Sequence, residues 1–197
     1  MVLAAGASVR LGTCKALVRL GPGTPLELLL RSGAAMDGAT AVVIAGADHG
    51  AIETAAPAGV EVAFNPSWAR GRTTAVKLAK RLRPQADLCL APVDVPLVPR
   101  EVFEALAQAW EAAGAPARGW LAPFVADDEG RRRFGHPVIA GRELLRELDG
   151  IDDAAPLREL RSRAEPVLAV EVSAREILDD LDTEEDLERL RERARPS

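Results

Sequence analysis

Cysteine is scarce in this chain. Cys14 and Cys89 are the only two, and their spacing matches neither a metal-ligand pair nor a CxxC redox motif. A disulfide-stapled scaffold is excluded, and the natural compartment is a reducing cytosol with both thiols as small apolar fillers. Long apolar runs are missing as well: no stretch approaches the ~20 residues that a bilayer-spanning helix needs. The N-terminus also lacks the basic and apolar regions of a signal peptide. The expectation is a soluble, cytoplasmic protein with no membrane contact. Positive charge is not in excess either. The formal net charge is -5 and no segment is dense in Lys or Arg, which argues against a nucleic-acid partner. Repeats, low-complexity tracts, linkers and any Ser-His-Asp or Cys-His set for covalent catalysis are likewise absent. The chain is long enough to bury a core without staples, and residues 1–197 read as a single domain.

What is present gathers at the start of the chain. Val2 to Ala5 has the length of a buried strand and runs into a loop holding Gly6, Ser8, Arg10, Gly12 and Lys15. Glycines let backbone N–H groups turn toward an anion, while a guanidinium and an ammonium bring charge in two geometries. The composition therefore suggests a phosphate cradle. It is not a Walker A loop, because five residues separate Gly6 from Gly12 and the lysine comes three later. Ser8 and Leu11 stand where a dinucleotide fingerprint needs glycines. The strand begins at residue 2, so either the chain starts directly on it or a few residues precede Met1.

Further on, Thr24 before Pro25 caps a helix, and Thr40 to Ala45 is a second strand followed by a short helix from Asp48-His49 that Pro57 stops. Val60 to Phe64 is a third strand, and a helix runs from about Ala75 to Leu82. Asp87 to Ala91 is a fourth, leading to Asp94 between Pro92 and Pro96; Pro99 opens the next helix. Gly119 to Val125 and His136 to Ile139 read as an antiparallel hairpin, Arg142 to Leu148 and Pro156 to Leu160 as short helices, and Val167 to Val172 as the last strand. Thr183 and Asp186 resemble a capping box for a terminal helix. This alternation implies an α/β fold, a mostly parallel sheet with an antiparallel addition and helices on both faces. Such sheets bind ligands outside the carboxyl ends of their strands. The Gly6 loop, Asn65 and Asp94 all fall at such ends.

The residues Leu3-Ala4-Ala5-Gly6-Ala7-Ser8, Arg10, Gly12 and Lys15 resemble the signature of the molybdenum-cofactor nucleotidyltransferase family, MobA-like NTP transferases. Asn65-Pro66-x-Trp68-x-x-Gly71, Asp94-Val95-Pro96, Gly135-His136-Pro137-Val138 and Asp180-Leu181-Asp182-Thr183 follow in the family's order. After Gly71 the family often has Met and two serines, where this chain has Arg72-Thr73-Thr74. The resemblance implies a Rossmann-like three-layer α/β/α nucleotidyltransferase fold. It implies transfer of CMP or GMP from an NTP, CTP or GTP, to the phosphate of molybdopterin cofactor, with Mg2+ required and pyrophosphate released. The cytidylyl reaction is the better match. A sugar- or alditol-phosphate acceptor, or a non-catalytic nucleotide- or cofactor-binding accessory role, remain the alternatives. The implied partners include transient contact with a molybdoenzyme or its chaperone.

That transfer needs in-line positioning and charge neutralisation rather than a covalent nucleophile. By resemblance Arg10, Lys15 and Asp94 carry the reaction. Leu3 to Ser8, Asn65, Gly71, Thr73 and Thr74 bind nucleotide, His136 faces the acceptor, and Asp94 with Asp182 holds the metal. The plainer alternatives are surface charge for the cations, a tight turn for the glycines, helix-start acids for Asp94 and Asp182, an Asx turn at Asn65, and a structural histidine at His136.

Overall fold

The computed structural model of the protein describes residues 1–194. Strands β1 (Val2–Ala4), β2 (Val42–Ala45), β3 (Glu61–Phe64) and β4 (Leu88–Pro92) run parallel in the order β3-β2-β1-β4. Beyond β4 the sheet continues through β7 (Val138–Ala140) to β5 (Trp120–Ala126). β7 is antiparallel to both neighbours, whereas β8 (Val167–Glu171) lies parallel to β5. β6 (Arg132–Phe134) pairs antiparallel with the far end of β5. The open, mostly parallel sheet with an antiparallel insertion is the expected fold class.

The predicted hairpin is more complex than one turn and one return. Its returning strand is split into β6 and β7 at Gly135-His136-Pro137. There Gly135 still donates its N–H to Pro123, at 3.0 Å, while His136 donates to the Ile177 carbonyl at 3.1 Å. The detour follows from where β7 must go: it wedges between β4 and β5, and at Gly135 it passes so near Ile177 that a Cβ would overlap that carbonyl. The stretch predicted as a helix over 142–148 is a 3₁₀ turn at Leu144–Gly150.

Side chains alternate across the strands, and each face gathers its own core. Val2, Ala4, Val43 and Ala45 meet α1 (Pro25–Gly33) and α4 (Arg100–Ala112), while Val42, Ile44, Leu88 and Leu90 meet α3 (Thr73–Leu82) and the 144–150 turn. α2 (His49–Ala55) adds Ile52 to the first core. α5 (Arg158–Arg161) contacts the 3₁₀ turn, and α6 (Glu184–Arg193) ends the described chain. Both predicted caps form as full capping boxes, Thr24 with Glu27 and Thr183 with Asp186. Trp110 lies in the core with its indole N–H donated to Asp87 at 3.1 Å. Burial pushes both thiols, Cys14 and Cys89, up to about 11, as expected of fillers.

A third, smaller cluster positions the site. Leu11 and Leu20 from the first loop pack with Leu181, Leu187 and Leu190, so the two ends of the chain close on each other. Among the described residues no helix is long and apolar enough to cross a membrane.

Candidate active site

The loop after β1 is held by its own serine. Ser8 adopts a φ of +49° and its carbonyl accepts from the N–H groups of Leu11 and Gly12, at 3.1 and 3.0 Å. Its hydroxyl accepts from the Lys15 N–H at 3.1 Å. Gly12, at φ +70°, supplies the left-handed turn that closes the loop. This leaves the consecutive N–H groups of Gly6, Ala7 and Ser8 with no protein acceptor among the described residues, a nest suited to an anion. They open onto a cleft of about 800 Å³ at the carboxyl edge of the sheet.

Across this cleft the C-terminal segment docks on Asp94. The Leu181 N–H donates to the Asp94 carbonyl at 2.7 Å, and Leu181 itself is fully buried in the third cluster. Asp180 and Asp182 flank Leu181 and both line the cleft, together with Asp94. Asp182 accepts from Lys15 Nζ and, at 2.6 Å, from the Arg10 guanidinium. The Lys15 bond leads the charge contacts that hold the Asp182 carboxyl below the usual carboxylate range. Burial, then Asp94 and Asp182, push Asp180 upward. The Asp94 carboxylate has no hydrogen bond or ion pair among the described residues.

The predicted site residues thus separate into groups. Leu3, Ala5, Gly6, Ala7, Ser8, Arg10 and Lys15 line the cleft, as do Gly71, Asp94, His136 and Asp182. Ala4 points into the core. Asn65, Thr73 and Thr74 are buried and do not line the cleft. Asn65 Nδ2 donates to Thr74 Oγ1 at 2.8 Å, Thr74 donates to the Gly71 carbonyl at 2.7 Å, and Thr73 to the Ala155 carbonyl at 2.6 Å. These bonds brace the wall at Gly71 and the 151–157 segment that packs on it. His136 lines the cleft, and its Nδ1 is buried and has no hydrogen-bond partner among the described residues. Burial lowers its pKa, the nearby Asp94 opposes that shift, and Arg72 adds to it.

Two charged cleft residues, Asp180 and Arg72, escaped the sequence reading. Asp180 carried a usable signal, since alternation about an apolar Leu181 puts it on the same side as Asp182. Arg72 carried none beyond its neighbour Gly71. A hard divalent cation takes one or two carboxylates with phosphate oxygens and water. Asp94, unpaired among the described residues, and Asp182 line the same cleft and fit such an ion. Among the described residues no group of three or more His, Cys, Asp or Glu side chains is placed to hold a metal ion by itself, so phosphate oxygens and water would have to complete any donor set.

A parallel sheet whose carboxyl edge sets an N–H nest and two cations against aspartates defines a nucleotide-handling α/β protein. The description MobA-like NTP transferase domain matches residues 1–195, and the chain belongs to this family of nucleotidyltransferases. Among solved structures, Rv0371c from Mycobacterium tuberculosis H37Rv is similar at 27% identity and a TM-score of 0.77, with 97% of this chain and 95% of that chain covered. A manganese complex of Rv0371c aligns at 22% identity and TM-score 0.74, with 97% and 95% covered. Molybdopterin-guanine dinucleotide biosynthesis protein A from Archaeoglobus fulgidus aligns at 20% identity and TM-score 0.71, with 97% and 95% covered. CMP:2-keto-3-deoxy-manno-octonic acid synthetase complexed with CTP aligns at 14% identity and TM-score 0.74, again with 97% and 95% covered. The likeness at these lower identities is one of fold. No curated protein sequence matched the chain.

Proposed function

We propose that the protein transfers CMP or GMP from CTP or GTP to the phosphate of molybdopterin cofactor and releases pyrophosphate. The observation that carries this reading is the N–H nest of Gly6, Ala7 and Ser8 lying across one cleft from the unpaired Asp94. The cytidylyl reaction is favoured by the Gly135-His136-Pro137-Val138 and Asn65-Pro66-x-Trp68 runs.

The residues divide the work as follows. The nest and Lys15 bind the triphosphate, and the Arg10 fork follows the leaving pyrophosphate. An oxygen of the acceptor phosphate bonds to the α-phosphorus as the bond to the β-phosphate bridging oxygen breaks. Both reactants are already nucleophile and electrophile, so the protein has to align them and offset their charge. Asp94, assisted by Asp182, would hold Mg2+, which when bound supplies charge neutralisation on the phosphates. Asp182 keeps Lys15 and Arg10 extended over the cleft until the triphosphate shares them. The reading is tested by offering CTP and GTP together with molybdopterin cofactor and Mg2+ and identifying the dinucleotide by mass. A cytidine product is expected; no dinucleotide from either nucleotide overturns the proposal.

A further inference from the structure

Two of the chain's three tryptophans belong to the core. Trp110 donates its indole N–H to Asp87, and Trp120 is buried in the second cluster. Trp68 is different. It is half-buried and lines the cleft, where it is the one aromatic ring besides His136 among the described residues. Its indole N–H makes no hydrogen bond with the described residues and, unlike that of Trp120, is not closed off from solvent. Its backbone is nevertheless held firmly. The Trp68 N–H donates to the Asn65 carbonyl at 3.3 Å, and the Trp68 carbonyl accepts from the Gly71 N–H at 3.4 Å. The Asn65 side chain accepts from the Ser67 N–H at 3.2 Å and donates to Thr74 at 2.8 Å, so it fixes this turn from below. The stem of Trp68 crosses the end of β2 at Gly46, where a Cβ would overlap both the Trp68 Cβ and the Ala5 carbonyl. Trp68 is thereby packed beside the residue that immediately precedes the N–H nest.

We infer that Trp68 is the platform on which the base of the nucleotide stacks, and that it holds cytosine and guanine alike. The inference rests on the transfer reaction proposed above, which puts the triphosphate on Gly6 to Ser8. With the phosphates there, the base is one ribose away, and Trp68 stands next to the start of the nest. The cleft wall also carries Leu3, Ala5, Ala69 and Ala75, apolar surface that suits a flat heterocycle and does nothing for a polyphosphate. Every base has a π-face, so a stacking ring supplies affinity without reading which base it holds. The choice between cytosine and guanine then falls to hydrogen bonds at the base edge. Asn65 is not placed to make them, because it is 1% exposed, does not line the cleft and is spent on Ser67 and Thr74.

The test uses Trp68→Ala, which removes the ring, and Trp68→Phe, which keeps an aromatic face. CTP, GTP and tripolyphosphate, which has the phosphates but no base, are each titrated into wild type and both variants with Mg2+ present, by calorimetry. Affinity for CTP and for GTP should fall about tenfold or more in Trp68→Ala and about threefold or less in Trp68→Phe, with tripolyphosphate affinity changed less than about twofold. Both nucleotides, and not tripolyphosphate, should also quench a part of the indole fluorescence that Trp68→Phe lacks. Unchanged CTP and GTP affinity in Trp68→Ala, or no binding of either nucleotide to the wild type, overturns the inference. So does an equal loss of tripolyphosphate affinity, which would make Trp68 a packing residue of the loop. Loss of one nucleotide alone also overturns it, because the ring would then be reading the base. None of these readouts requires an acceptor or turnover, so a failure of the transfer reaction itself registers separately, as absent dinucleotide.

Discussion

Replacing Asp182 by Asn removes the charge that joins the two ends of the chain while keeping the side chain's shape. Two ion pairs are lost, and they are unequal. The Lys15 side chain is 13% exposed against 63% for Arg10, so water screens the Arg10 arm much more. A half-buried charge-assisted bond contributes about 1–2 kcal/mol and the exposed arm about 0.5, giving a loss of roughly 1.5–2.5 kcal/mol. In a chain of this size that lowers the Tm by about 3–10 °C. The pH dependence has a definite sign. Because Lys15 and Arg10 hold the Asp182 carboxyl below its ordinary value, the stabilisation is complete above an unfolded pKa of about 3.9. It disappears as the pH falls through the lower folded value, so the gap between wild type and variant should close in acid. The same substitution frees both cations for a ligand. Metal-free binding of CTP or GTP should therefore tighten, by about three- to tenfold. Thermal unfolding followed by circular dichroism and equilibrium dialysis with EDTA present measure both effects. A variant as stable as wild type at neutral pH, with no gain in metal-free nucleotide affinity, refutes the role of Asp182 as a clamp on Lys15 and Arg10.

Other substitutions separate folding from binding. A Cβ on Gly6 meets no protein atom within 4 Å, so Gly6→Ala should leave stability within about 0.5 kcal/mol yet weaken nucleotide binding about tenfold, by calorimetry. Gly71→Ala should do the reverse: at φ +144°, with a Cβ overlapping the Asp153 carbonyl, it should destabilise by about 2–4 kcal/mol in urea unfolding. Thr183→Ala removes the α6 cap and should cost about 1 kcal/mol in the same assay. The Arg189 bond holds the Asp186 carboxyl far below its usual range, so this part of the stability is present above about pH 4 and falls away in acid.

Local signals were legible in the sequence because the atoms that read them are neighbours in the chain. Thr24 and Thr183 bond to groups three residues away, and the N-cap predicted at Thr24 and the capping box predicted at Thr183 both form. The glycine loop was legible for the same reason. What escaped depends on contacts between distant residues. Nothing in Val138–Ala140 tells that it will lie between β4 and β5, because the competing pairing with β5 alone satisfies the same alternation. Asn65, Thr73 and Thr74 have the composition of a binding loop, and only the fold turns their polar groups onto one another and onto the 151–157 segment.

The central claim is that one cleft brings an NTP on the glycine loop to a phosphate acceptor beside Asp94. Its most direct test is pyrophosphate release from CTP or GTP, with molybdopterin cofactor and Mg2+, in wild type and in Asp94→Ala. The account predicts release that depends on acceptor and metal in the wild type, and a loss of at least about a hundredfold in the variant with the fold unchanged. Release at a similar rate from Asp94→Ala, or none from wild type with either nucleotide, would contradict it.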